Sequence, residues 1–142
     1  VLYDYSVEEI IEMGWVDYSD NGGVELIKKK CIKAAKECFV DHLLKRNFNT
    51  LSGGEQRRVH FGRTLLQIDH HYDSIGSRYM FLDEPTANLD TSSTSNLLDI
   101  MSKLNVNEKI TFIFSTHDQR VINRARRVIT LEDGKIVSDK KK

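Results

Sequence analysis

The sequence predicts an α/β fold, with a helical first half and a strand–helix–strand second half. Two observations carry this. Tyr79-Met80-Phe81-Leu82 and Ile110-Thr111-Phe112-Ile113-Phe114 are short apolar runs of strand length, and both end abruptly in polar residues. Runs of this kind read as buried strands. Between them, Ser92 to Leu104 places Leu97, Leu98, Met101 and Leu104 on one helical face. Open α/β sheets bind ligands beyond the carboxyl ends of their strands, so the residues after each run are the first place to look for chemistry.

The earlier elements follow in order. Ser6 before Val7-Glu8-Glu9-Ile10-Ile11-Glu12-Met13 reads as a capped helix stopped by Gly14. Asp17 to Gly23 is a polar loop with turn chemistry. Val24 to Leu44 reads as one long helix, with Ile27, Cys31, Ala34, Ala35, Cys38 and Leu43 near helical spacing and Lys28-Lys29-Lys30 on a solvated face. Arg46 to Leu51 links this helix to another, Glu55 to Gln67. Tyr72 to Arg78 is a polar connector into the first strand. After the second strand, Gln119 to Ala125 reads as a helix. Glu132-Asp133-Gly134-Lys135, between Val128–Leu131 and Ile136-Val137, reads as a hairpin turn. Lys140-Lys141-Lys142 is expected to fray.

The 142 residues are 39% hydrophobic, enough for one domain with a sizeable core. A net charge of zero argues against a protein that coats nucleic acid. Cys31 and Cys38, seven residues apart in a helical pattern, suit reduced buried thiols better than a disulfide framework or a zinc site. His70-His71 has no further ligands close by in sequence. No apolar run approaches the length of a membrane span.

Four stretches carry candidate chemistry. In Leu51-Ser52-Gly53-Gly54-Glu55-Gln56-Arg57-Arg58, Ser52 and Glu55 have capping-box spacing. The paired glycines leave backbone amides bare at a helix N-terminus, which favours a phosphate. Asp83-Glu84, stopped by Pro85 at the end of the first strand, suits a metal-assisted site in which one carboxylate holds Mg²⁺ and the other handles water. Ala87-Asn88-Leu89-Asp90 follows, and His117 follows the second strand as the carboxylates follow the first.

In this order the elements resemble the ATP-binding-cassette (ABC) ATPases. LSGGEQRR is similar to the family signature and MFLDE to Walker B. Asn88-Leu89-Asp90 resembles the D-loop, and His117 the switch histidine. The resemblance covers nearly the whole chain. It implies a partial P-loop NTPase fold, with a helical subdomain over residues 1–76 and the C-terminal strands and helices of a RecA-like core over 77–142. It implies ATP and Mg²⁺ as ligands, Asp83 on Mg²⁺ directly or through water, Glu84 as general base, and His117 as a sensor of the γ-phosphate. Such domains pair head to tail. Ser52, Gly53 and Gly54 would then bind the γ-phosphate held by the partner domain, Gln56 would support the signature loop, and Asp90 would link the two sites. A second nucleotide-binding domain and an integral membrane transporter subunit are the implied partners. The implied location is the cytoplasmic face of the membrane, and no nucleic acid is expected.

No G-x-x-x-x-G-K-[ST] P-loop occurs in the chain, and the residues that resemble the family begin just after its Q-loop. The chain is therefore expected to be the C-terminal part of a nucleotide-binding domain and to hydrolyse little ATP alone. Residues 1 to about 85 resemble haem- and iron-chelate-importer ATPases. Residues 86–142 resemble lipoprotein-release and macrolide-export ATPases. Phe61-Gly62-Arg63 departs from the small or aliphatic residues usual before that arginine. Two other readings stand beside the transporter: the C-terminal ATPase lobe of a chromosome-structural or DNA-repair ATPase, and a non-catalytic fragment acting as a binding module.

Overall fold

The computed structural model describes residues 4–15, 23–70 and 77–142. The expected loop at 17–23 and the connector at 72–78 therefore lie mostly outside the described residues. Gly23 opens a helix and Arg78 opens a strand.

Helix α1 (Val7–Glu12) begins with a full capping box. The Glu9 carboxylate accepts from the Ser6 amide and hydroxyl, each at 2.7 Å, and the Glu9 amide donates to Ser6 Oγ at 3.3 Å. The chain turns at Gly14, where a Cβ would stand 2.2 Å from the carbonyl oxygen of Arg63. Only glycine allows that approach.

Helix α2 (Gly23–Glu37) ends seven residues before the expected Leu44. Phe39 is left-handed, with φ 54°. Its amide donates to the Lys36 carbonyl at 3.1 Å, and the Val40 amide reaches back to Ala35 at 2.9 Å. These two bonds form a Schellman motif. It was invisible in sequence because phenylalanine stands where glycine usually marks such an end. Leu43 lies instead in a 3₁₀ turn, Asp41–Leu43. Cys31, Ala34, Ala35 and Cys38 are buried as expected. Lys30 is not simply solvated: its ammonium lies 3.5 Å from Asp69 and 5.2 Å from the centre of the Trp15 ring.

A second 3₁₀ turn, Phe48–Thr50, leads into α3 (Gly53–His70). Helix α3 packs on α1 and α2 and reaches the sheet, where Phe61 stacks on Phe112 with ring centres 5.9 Å apart. Charged groups also join the helical half to the strands. Lys33 lies 3.3 Å from Glu108 and 3.7 Å from Glu37, and Arg78 lies 3.4 Å from Glu108.

Strand β1 (Arg78–Asp83), helix α4 (Thr91–Asn107) and strand β2 (Ile110–Ser115) form a parallel β–α–β unit. Leu97, Leu98, Met101 and Leu104 are buried, as the helical periodicity predicts. The strands depart from the expectation of full burial. Met80 is buried, but Tyr79, Phe81 and Ile113 are 52%, 74% and 47% exposed. Side chains alternate between sheet faces, and among the described residues the helices cover only the face bearing Met80 and Phe112.

Helix α5 (Gln119–Arg124) precedes a hairpin of β3 (Arg127–Glu132) and β4 (Lys135–Lys141). Asp133 and Gly134 both have positive φ, 47° and 74°, the geometry that suits a two-residue hairpin turn. The lysine tail is not frayed. Lys140 and Lys141 pair with Val128 and Arg127. The Lys142 ammonium donates to the carbonyls of Ile122 and Asn123 at 2.9 and 3.0 Å, at the last turn of α5, where the Ile122 carbonyl also accepts from the Ala125 amide at 3.3 Å.

Candidate ATPase site

The parallel register brings the ends of β1 and β2 side by side, with Asp83 opposite Ser115. Ser115 Oγ donates to Asp83 Oδ1. The Glu84 amide donates to the Ser115 carbonyl at 3.1 Å, and Glu84 then turns out of the strand with φ 41°. A left-handed non-glycine residue costs about 1 kcal/mol or more, and such strain gathers at functional sites. The turn leaves the Glu84 carboxylate held at both oxygens. Thr116 Oγ1 donates to Oε2 at 3.2 Å, and His117 Nδ1 lies 2.6 Å from Oε1.

The loop after β1 is tied to the loop after β2 a second time. Thr86, 3% exposed, donates to Asp118 Oδ2 at 3.0 Å. Arg120 clasps the same carboxylate, and its hydrogen bonds hold the Asp118 carboxyl far below the usual range. The Asp118 amide donates to Thr116 Oγ1 at 3.0 Å, which fixes the threonine that binds Glu84. Ser115, Thr116, Thr86 and Asp118 were not singled out from the sequence. Their signal was there: two parallel strands of equal length place the residues after each one together.

A second cluster surrounds the start of α3. Ser52 Oγ donates to Glu55 Oε2 at 2.7 Å and accepts from the Glu55 amide at 3.3 Å, completing the expected capping box. The Ser52 hydroxyl and amide hold the Glu55 carboxyl below its ordinary value. Gln56 Nε2 donates to the Phe48 carbonyl at 3.3 Å, so this side chain braces the turn before the signature. Gly53 is exposed and Gly54 buried.

Asp90 is the N-cap of α4. Its carboxylate accepts from the Ser93 amide at 2.9 Å and the Ser93 hydroxyl at 2.8 Å, and these bonds lower its pKa. The structure thus brings Asp83, Glu84 and His117 into one group, and places Ser52, Gly53, Gly54 and Gln56 in another.

Asp83 fits a magnesium ion. It is an exposed hard-oxygen donor at a strand end, and Mg²⁺ in nucleotide sites takes one or two carboxylates, water and phosphate oxygens. Among the described residues no group of three or more His, Cys, Asp and Glu is placed to hold a metal without such help. No helix among them is long and apolar enough to cross a membrane.

No protein-family model matches the chain. Individual proteins do. The chain is 32% identical over 138 residues to the hemin import ATP-binding protein HmuV of Aliivibrio fischeri, covering 96% of this chain and 51% of that protein. It is 40% identical over 110 residues to the macrolide export ATP-binding/permease protein MacB of Campylobacter jejuni, covering 78% of this chain and 16% of that one. Among solved structures, the dimeric bacterial ABC transporter cassette MJ0796 superimposes with a TM-score of 0.76 at 25% identity, over 96% of this chain and 56% of the cassette. The fold is therefore an α/β part of a P-loop NTPase domain. The chain belongs to the ABC ATPases, and it spans about half the length of the hemin-import relatives it matches.

Proposed function

We propose that this chain supplies the carboxylate edge and the signature turn of an ATP-hydrolysing subunit that powers an ABC transporter. The observation that carries this reading is the group at the strand ends, where Glu84 is held by Thr116 and His117 beside Asp83. Hydrolysis of a phosphoanhydride needs charge neutralisation and a positioned water. Asp83 would hold Mg²⁺, which supplies the neutralisation when bound. Glu84 is the general base: a carboxylate accepts at about four positions, two are occupied here, and the rest can take a proton from water. His117 steadies Glu84 and would sense the loss of the γ-phosphate.

Ser52, Gly53 and Gly54 would meet the γ-phosphate of nucleotide bound to a second nucleotide-binding domain. The amides at the start of α3 and its dipole suit that anion. For the Ser52 hydroxyl to donate to phosphate, it must leave Glu55. Asp90 would lie at the same interface. A membrane subunit carries the substrate, and the chain acts on the cytoplasmic side. The named relatives are a hemin import ATP-binding protein and a macrolide export ATP-binding/permease protein, which favours this reading over a chromosome-structural ATPase.

The chain has no P-loop sequence, so nucleotide must be cradled by residues other than these. The test is ATP turnover after mixing the chain with a P-loop-bearing N-terminal fragment of a related cassette. Turnover should appear only on mixing and fall at least about 100-fold in Glu84→Gln, the scale of a lost general base. Turnover that is unchanged in Glu84→Gln would remove Glu84 from this role. A folded, bound but inactive mixture would leave the chain a non-catalytic module.

A further inference from the structure

Gly54 and Gly53 are adjacent but not equivalent. A Cβ built on Gly53 meets nothing within 4 Å, whereas one built on Gly54 would stand 2.4 Å from Ser93 Oγ and 3.0 Å from Ser93 Cβ. Only the second glycine is required by the packing of this chain. Ser93 cannot move aside easily. Its hydroxyl and its amide both donate to the Asp90 carboxylate, at 2.8 and 2.9 Å. Rotating the side chain would break the first bond and would leave the Cβ contact in place.

A continuous line of contact therefore runs from the Asp90 carboxylate through the Ser93 hydroxymethyl group to the Gly54 backbone. We infer that Ser93 is a positioning residue that couples Asp90 to Gly54, so that the signature turn and the Asn88–Asp90 loop of one chain move together. The contact stands by itself, while its mechanistic meaning rests on the function proposed above. There, Gly54 meets nucleotide held by the partner domain, and Asp90 lies in the loop that follows Glu84. Closure of α3 on nucleotide would then be passed through Ser93 to the segment beside the base. Ser93 touches no substrate. It acts by filling the space that the missing Cβ of Gly54 leaves.

The experiment uses amide spectra of the ¹⁵N-labelled chain without nucleotide. Asp90→Asn keeps a capping side chain and should shift the Gly54 amide resonance. The same substitution in a Ser93→Gly background should shift it by less than half as much. An undiminished response, or no Gly54 response in the unmodified background, overturns the coupling. A second arm reads the steric contact. Gly54→Ala should lower Tm by about 5 °C, and Ser93→Gly introduced with it should recover at least half of that loss. No recovery overturns the contact as the reason for Gly54. Neither arm needs ATP, so an inactive mixture with a P-loop fragment would count against the proposed function and leave this coupling standing.

Discussion

Glu84 Oε1 and His117 Nδ1 lie 2.6 Å apart, although the two residues follow different strands. In the tautomer that carries its proton on Nδ1, His117 donates to the Glu84 carboxylate. The pair is joined at its open end: the His117 side chain is 90% exposed and that of Glu84 34%. Burial does not hold this pair together. The parallel register does, by ending β1 and β2 at the same level, with Thr116 adding a second anchor to the same carboxylate.

An exposed histidine contributes little to the fold. His117→Ala should move Tm by less than about 3 °C, as expected of surface substitutions. In the mixture with a P-loop fragment it should lower turnover at least about 100-fold, because Glu84 loses a partner that orients it. Thermal unfolding and phosphate release on the same samples check both halves. A large loss of Tm would instead make His117 a structural residue.

Two glycines should respond oppositely to alanine. At Gly62 a Cβ would meet Ile11 Cδ1 at 3.5 Å and Cys38 Sγ at 3.6 Å, ordinary contact distances. The departure from the family at this helical position therefore has room to be reversed, and Gly62→Ala should stabilise the chain by about 0.5–1 kcal/mol. At Gly14 the clash is with a backbone carbonyl, which cannot rotate away. Gly14→Ala should destabilise by about 2 kcal/mol or more. Urea unfolding of the two variants beside the parent measures both.

Acid should weaken the caps. Glu9 and Glu55 have lowered pKa values because serine hydroxyls and amides donate to their charged forms, and Asp90 because the amide and hydroxyl of Ser93 do. In the native state these groups bind protons less readily than in the unfolded chain. Their contribution is complete above the ordinary carboxylate values, about pH 4, and is lost as pH falls through the depressed native values. Glu9→Gln with Glu55→Gln should reduce the steepness of the fall in stability below pH 4, and leave its course between pH 6 and 8 unchanged. Unfolding midpoints across that range test this.

The C-terminal lysine should protect α5. Lys142→Ala removes the ammonium from the Ile122 and Asn123 carbonyls and leaves the amide bond from Lys142 to Arg126, 2.8 Å, in place. Amide exchange in the last turn of α5 should quicken several-fold, while exchange at β3 and β4 stays as it was. Equal rates in both proteins would show that the ammonium anchors nothing.

The sequence alone was enough for the elements with local signals: the capped starts of α1 and α3, the apolar face of α4, the Asp133-Gly134 turn, and the position of Asp83, Glu84 and His117 just at or after the strand ends. Each rests on residues near one another in the chain, where spacing is geometry. Tertiary structure decided the rest. It ended α2 at a left-handed Phe39, exposed one face of β1 and β2, and seated the lysine tail on α5. It also set Ser115 and Thr116 on the carboxylates, and Ser93 against Gly54. These features depend on which distant backbone arrives alongside. Spacing along one segment does not report that, because the approach is set by packing and register between segments far apart in sequence.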